Sequence, residues 1–329
     1  MIVSEADDRI AVSPPMADAA RTSAPTTSPS QRATVQARPR LGERIGAYIE
    51  LTKPGIVRMV MVTAGAGYFM ASGLGHPLDM WLLLHTLLGI GLAAAGACGL
   101  NEYAEWEADG RMRRTEDRPV PSGRMTPRTA LWFSTALVFM GLTHLQLFAG
   151  SLTAALVALT VVTYVFIYTP MKRYTWTATL VGAIPGALPI LAGWTAGGGG
   201  LSRPGLALFA ILFLWQMPHF YALAWIYRDD YRRGGFRMLT TMDPDGSRTG
   251  RQIVLFALVL LPVSVLPSLL GLTGALYLVA AAALGIAFLG LGVAMAARPD
   301  DRRAMRLFLG SVAYLPLLLL VMVVDRLIT

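Results

Sequence analysis

From about residue 55 onward the chain is a succession of long apolar blocks separated by short polar breaks. Two stretches, 131–169 and 252–296, contain no Lys, Arg, Asp or Glu at all. An uncharged apolar run of about 18 or more residues is long enough to cross a bilayer as a helix. Residues 131–169 as one helix would reach about 58 Å at ~1.5 Å per residue, far more than one crossing needs. Gly150-Ser151 is the natural break there, as 271–274 is in the second run. The Gly197–Gly200 run and Pro204 separate the fifth block from the sixth. The pattern predicts nine spans, near 55–72, 80–100, 130–148, 151–169, 178–196, 205–226, 253–271, 274–296 and 305–324. The expected fold is therefore all-α: a polytopic membrane protein with a transmembrane domain over 46–329.

Residues 1–45 lack this pattern. They are rich in Ala, Ser, Thr, Pro and Arg and are expected to form a disordered cytoplasmic tail. They hold no apolar core with a small-residue cleavage site, and Glu5, Asp7, Asp8 and Asp18 run against a transit peptide.

Charge then orients the spans. Charged residues make up 15% of the chain, against about 25% in soluble domains. Placing the N-terminus in the cytoplasm puts every one of the 28 Lys and Arg except Arg203 and Arg326 on the cytoplasmic side. Cytoplasmic loops carry an excess of Lys and Arg, so the net charge of +8 is read as topology rather than nucleic-acid binding. The C-terminus is then periplasmic, and the expected location is a bacterial inner membrane. The single cysteine, Cys98, excludes an intramolecular disulfide and is read as a small packing residue.

The long polar loops, 101–129 and 227–251, fall on that same side. In the first, Asn101, Glu105 and Asp109 are spaced i, i+4, i+8 and share a face if the second span continues as a helix. Oxygen donors in a row suit a hard cation such as Mg²⁺; Glu102 and Glu107 point elsewhere. Arg111, Arg113, Arg114 and Arg118 follow and suit diphosphate oxygens. A solvated loop obeying the positive-inside rule explains the arginines equally well, but not the spacing of the acids. In the second, His219 and Asp230 are three turns apart and are expected on one face, with Asp229, Arg228, Arg232 and Arg233 beside them. His219 lies inside a span, where an ionisable residue is either functional or a neutral partner between helices. Each loop follows the second helix of a four-helix set, which suggests two related halves facing one cavity. Lys53 in LTKP and Lys172 in YTPMKR are anion-binding or membrane-edge lysines. His85 and His144 read as an interhelical hydrogen bond or as ligands to a cofactor; His76 has no role to argue.

LTKPGIV, the Asn101–Arg124 segment with its RT..RP core, YTPMKR, GAIPGALP and WQMPHFYALAWIYRDDYRRGGFRML together resemble the UbiA superfamily of membrane prenyltransferases, in particular its haem-farnesylating members. The resemblance covers about residues 45–325. It implies nine helices around a central cavity and Mg²⁺-assisted ionisation of farnesyl diphosphate. A vinyl group of haem b then attacks the allylic cation and water quenches the product, a step toward the haem A and O of terminal oxidases. It implies catalytic roles for Asn101, Asp109, Asp230 and His219. Substrate binding would fall to Lys53, Arg114, Arg118, Lys172, Arg173 and Arg228, and metal binding to Asn101, Glu105, Asp109, Asp229 and Asp230. Positions 105 and 107 are Glu where the superfamily usually has Asp. The implied partners are farnesyl diphosphate, haem b, the bilayer, and haem A synthase or oxidase assembly factors. The competing readings are another UbiA-type aromatic prenyltransferase and a membrane transporter.

Overall fold

The computed structural model describes residues 41–72 and 77–328. The expected tail as far as residue 40, and His76, lie outside the described residues.

The chain enters through a short helix, α1 (Leu41–Leu51), which includes the last residues assigned above to the tail. Leu41, Ile45 and Ile49 form an exposed apolar stripe along it, while Ala47 and Leu51 are buried. The spans follow: α2 (Pro54–Ser72), α3 (Met80–Asp109), α4 (Pro127–Phe148), α5 (Ser151–Met171), α6 (Ala178–Ala196) and α7 (Arg203–Ile226). A separate short helix, α8 (Arg228–Gly234), precedes α9 (Ser247–Leu269), α10 (Ala275–Ala297) and α11 (Asp301–Ile328). Among the described residues nine helices are thus long and apolar enough to cross a membrane, each at an expected position.

Their packing follows from side-chain size. In α6, 72% of the most apolar stretch is buried, against 17% in α4, so α6 is a central helix and α4 a peripheral one. Small residues allow that centrality. A Cβ on Gly67 of α2 would strike the Ile190 carbonyl of α6, and one on Gly193 would strike the Ala64 carbonyl. The two backbones therefore touch, as in membrane helices that associate through glycine. Large apolar side chains on the outside, such as Trp132, Phe139, Phe166 and Val279, are exposed. Acyl chains would cover such a surface at no cost in water.

Candidate functional site

Helices α3, α5 and α7 all finish at one end of the bundle, and the candidate site is built from their last turns and the loops that follow. Helix α3 does continue through Asp109, so Asn101, Glu105 and Asp109 line one face as their spacing requires, all three buried. The Asn101 side-chain amide donates to Glu105 Oε2 (3.0 Å) and to Thr169 Oγ1 (3.1 Å). Its carbonyl accepts from Lys53 Nζ (3.0 Å). Lys53 is the one described non-glycine residue in the left-handed region (φ 49°), a conformation that is costly and concentrates at functional sites. Burial holds its ammonium below the usual lysine range, and the Arg118 charge pushes the same way.

The other members of the row are met by cations from elsewhere. Arg118 pairs with Asp109 at 2.6 Å. Its loop is pinned by Thr115 Oγ1 donating to the Asp109 carbonyl (2.8 Å) and by Val120 N donating to Glu102 Oε1 (3.2 Å). Glu102 thus does point away from the row, as expected, and braces the loop. Lys172 Nζ lies 2.5 Å from Glu105 Oε1. That oxygen is buried, so the ammonium and the carboxylate form a close ion pair out of water. Lys172 arrives from the end of α5, where residues Thr163–Tyr168 form a π-helical turn, a feature frequent at functional sites. Its ammonium sits over the rings of Tyr168 (4.8 Å) and Phe236 (5.3 Å). The turn aims Lys172 inward and leaves Arg173 exposed.

The second loop meets the first directly. Asp230 accepts from Arg113 N (3.1 Å) and pairs with Arg233, and Arg111 donates to the Gly234 carbonyl (3.3 Å). Arg114 lies against the rings of Tyr227 (5.3 Å) and Tyr231 (5.2 Å). It has no carboxylate partner among the described residues, so aromatic faces rather than acids hold this guanidinium in place. Burial pushes the Tyr231 phenol up, with Arg114 opposing.

Three expectations about the second loop are corrected. His219 and Asp230 do not share one helix face, because α7 ends at Ile226 and Tyr227 (φ −104°, ψ 21°) separates it from α8. His219 instead faces α11: Nδ1 is 2.7 Å from Ser311 Oγ, and Trp215 one turn earlier donates to the Ser311 carbonyl (2.9 Å). Asp229 turns outward and pairs with Arg232 (2.7 Å), since adjacent residues of a helix cannot face the same way. Arg228 also turns away, to Asp301 at the start of α11 (2.6 Å). Thr169, Tyr227, Tyr231 and Ser311 were not anticipated; their contacts join segments distant in the chain, which no spacing reveals. His85 and His144, at the far end, form an interhelical hydrogen bond (3.0 Å).

Among the described residues no three His, Cys, Asp or Glu side chains are gathered tightly enough to hold an ion. The oxygen donors present, Asn101, Glu105 and Asp109 with Asp230 from the other loop, are nonetheless hard ligands of the kind Mg²⁺ takes, one or two carboxylates being its usual protein share. The buried Glu105 Oε1, met only by the Lys172 ammonium, is an oxygen ligand of this kind. The donor set fits such an ion.

Residues 60–318 match the model of the UbiA prenyltransferase family. The chain is 48% identical over 288 residues to the protoheme IX farnesyltransferase of Solibacter usitatus, covering 85% of this chain and 98% of that protein. It is 42% identical over 297 residues to the protein of the same name from Koribacter versatilis, covering 88% and 96%. Among solved structures, a digeranylgeranylglyceryl phosphate synthase superposes with a TM-score of 0.73 at 19% identity, over 87% of this chain and all of that one. A UbiA homologue from Archaeoglobus fulgidus bound to DMAPP and Mg²⁺ gives 0.61 at 14% identity, over 84% and 98%. These two likenesses concern the fold. On the family match and the identities to relatives of nearly equal length, this chain belongs to the UbiA prenyltransferase family of membrane enzymes.

Proposed function

We propose that this chain transfers the farnesyl group of farnesyl diphosphate to a vinyl group of haem b, giving haem O and diphosphate. The observation that carries the prenyl-diphosphate half is the buried row Asn101–Glu105–Asp109 ringed by Lys172, Arg118 and the acid-free Arg114. The choice of haem as acceptor is supported by relatives named protoheme IX farnesyltransferase that match over nearly their whole length.

The residues divide the work. Asn101, Glu105, Asp109 and Asp230 would hold Mg²⁺, which supplies charge neutralisation on the departing diphosphate. Lys172, Arg118 and Arg114 offer cationic donors to the same oxygens. Arg114 is pre-positioned by two tyrosine rings, so little side-chain freedom is lost when it engages an anion. Lys53 holds the Asn101 carbonyl, which turns the amide nitrogen toward Glu105 in the row. Tyr164 and Tyr168, stacked at 5.7 Å, present aromatic faces beside Lys172, where an allylic cation gains from a ring quadrupole and from the exclusion of water. His219, held by Ser311 in the α7–α11 seam, is assigned a part in positioning substrate within the bundle. Asp229, Arg173 and Arg228 have at most a peripheral part.

The protein would work in a bacterial inner membrane with its N-terminus in the cytoplasm, beside haem A synthase or oxidase assembly factors that consume haem O. The test is to incubate the purified protein with haem b, farnesyl diphosphate and Mg²⁺ and to measure the pigment by mass. A farnesylated, hydrated haem is expected. A prenylated 4-hydroxybenzoate-type acceptor in its place would refute the acceptor assignment, and no prenyl transfer to any acceptor would refute the whole reading.

A further inference from the structure

A cavity of about 490 Å³ opens at the same end of the molecule, lined in part by residues that follow Lys172 and Phe236 in their loops. One wall is apolar, from Trp176, Leu239 and Met242. The other is the first two turns of α9, where Arg248, Arg251, Gln252 and Leu255 fall on one face at spacings i, i+3, i+4 and i+7. The volume lies within the range of small-molecule sites, about 300–1,000 Å³.

The two arginines are set out deliberately by their surroundings. Asp243 is buried and accepts from Thr249 N (2.7 Å) and Thr249 Oγ1 (2.8 Å), which fixes the start of α9. Gly246 takes a left-handed turn (φ 72°) against Pro299 and Trp225. Gly250 packs against Ala296 of α10, so Arg248 and Arg251 are left facing out over the cavity. Both are exposed, and among the described residues neither has an ion-pair partner. Arg118, Arg124, Arg228 and Arg303, at the same end, each have one. The nearest acids are committed elsewhere, Asp243 to Thr249 and Asp245 to Ser247.

An anion is what two unpaired guanidiniums recognise, and the remaining walls limit which anion. Arg248 and Arg251 are one helical turn apart, about 5–6 Å between Cβ atoms, and each offers a fork matched to a carboxylate. A tryptophan face and a thioether suit a flat, polarisable body. A single lipid phosphodiester would use only one fork. The site is also tied to the reaction centre, because Arg237 N donates to the Lys172 carbonyl (2.8 Å). The loop bearing Lys172 and Trp176 is thereby stapled to the loop bearing Phe236, Leu239 and Met242. From this pair Lys172 reaches Glu105, while Trp176, Leu239 and Met242 line the cavity.

We infer that this cavity docks the porphyrin acceptor, Arg248 and Arg251 taking its two propionate carboxylates while Trp176 and Met242 bear on the ring. The inference rests on the haem-farnesylating reading. The experiment is a titration of the full-length protein, in phosphatidylcholine nanodiscs, with haem b and with its dimethyl ester, followed by absorbance. R248Q/R251Q should weaken haem b binding by about ten- to a hundredfold, as loss of charge-assisted hydrogen bonds does, and R248K/R251K by less. The wild type should bind the ester as weakly as R248Q/R251Q binds haem b, and that variant should bind both alike. The KM for farnesyl diphosphate should be unchanged in both variants, which also reports that they are folded. Equal binding of haem b by wild type and R248Q/R251Q overturns the inference. So does a defect that appears only when phosphatidylglycerol is added, which would make the site one for anionic lipid. Binding is measured without turnover, so a protein that binds haem b through these arginines yet fails to farnesylate it would overturn the proposed reaction and leave this site standing.

Discussion

Replacing Lys172 by Met tests the centre of the site, because its methylene stem is kept while its charge is lost. In the native protein the Lys172 and Glu105 side chains are 10% and 5% exposed, with 2.5 Å between charged atoms. At an effective dielectric near 20 a contact of roughly 4 Å is worth about 4 kcal/mol, but most of that offsets desolvation. The measurable quantity is the cost of stranding Glu105, for which removal of one partner from a buried pair gives about 3–5 kcal/mol. At about 2 °C per kcal/mol for a large domain, K172M should lower the unfolding midpoint in detergent by roughly 6–10 °C. Glu105→Gln in the same protein removes the stranded charge, so K172M/E105Q should regain most of the midpoint. Turnover should not return, because the double variant still lacks the cation that meets the diphosphate. A K172M midpoint equal to wild type would refute the buried pair. Recovery of both midpoint and turnover in the double variant would refute a role for Lys172 toward substrate.

Five other substitutions test the site and the bundle residue by residue. Asp109→Asn and Asp230→Asn should abolish haem O formation, whereas Asp229→Asn, on the outward face with Arg232, should keep it; equal loss in all three, read by product mass, would contradict the inward–outward split. His219→Gln should lower turnover while the optical spectrum of the haem-loaded protein stays as in wild type; disappearance of a low-spin signature would instead make His219 an iron ligand. Gly193→Ala should destabilise the bundle by about 1–3 kcal/mol as overpacking does, because its Cβ meets the Ala64 backbone carbonyl; an unchanged midpoint would mean α2 and α6 separate freely.

The spans were legible because the signal that defines them, a charge-free apolar run bounded by Lys and Arg, is local and long. The row on α3 was legible for the same reason: i, i+4, i+8 is a property of one helix, and α3 continues as one. The second loop was misjudged where that assumption failed. Nothing in AWIYRDDYRR marks a break, since it holds no Gly or Pro, yet the chain leaves the helix at Tyr227 and restarts at Arg228. Asp230 then reaches Arg113 N while His219 stays with Ser311. The break depends on tertiary contacts: Arg228 bonds to the Trp225 carbonyl and to Asp301 of α11. The pairing of Lys172 with Glu105, the tyrosine cradle of Arg114 and the stapling of the two loops also join distant segments. The helix α1 was missed because so short a segment, ending against LTKP, has too few turns to show its stripe.

One consequence of the pairing bears on how the site would load. Every acid that Mg²⁺ would use is already neutralised: Glu105 by Lys172, Asp109 by Arg118, Asp230 by Arg233. Two of these cations are also ones the diphosphate would use. A metal ion arriving alone would compete for the carboxylates and leave Lys172 and Arg118 without partners in a buried place, which is costly. A diphosphate arriving alone would draw off the same cations and strand Glu105 and Asp109. Together, the metal takes the acids and the diphosphate takes the bases, and no buried charge is left over. Under the proposed reaction each should therefore raise the affinity for the other, and by the same factor. A coupling of about 1–3 kcal/mol, the common range for linked sites, corresponds to roughly 5–150-fold. Calorimetric titration of a non-hydrolysable farnesyl diphosphate analogue with and without Mg²⁺, and of Mg²⁺ with and without the analogue, measures both legs. Identical affinities in the two conditions would show that the pairs stay intact in the loaded enzyme, and that the row does not exchange its partners.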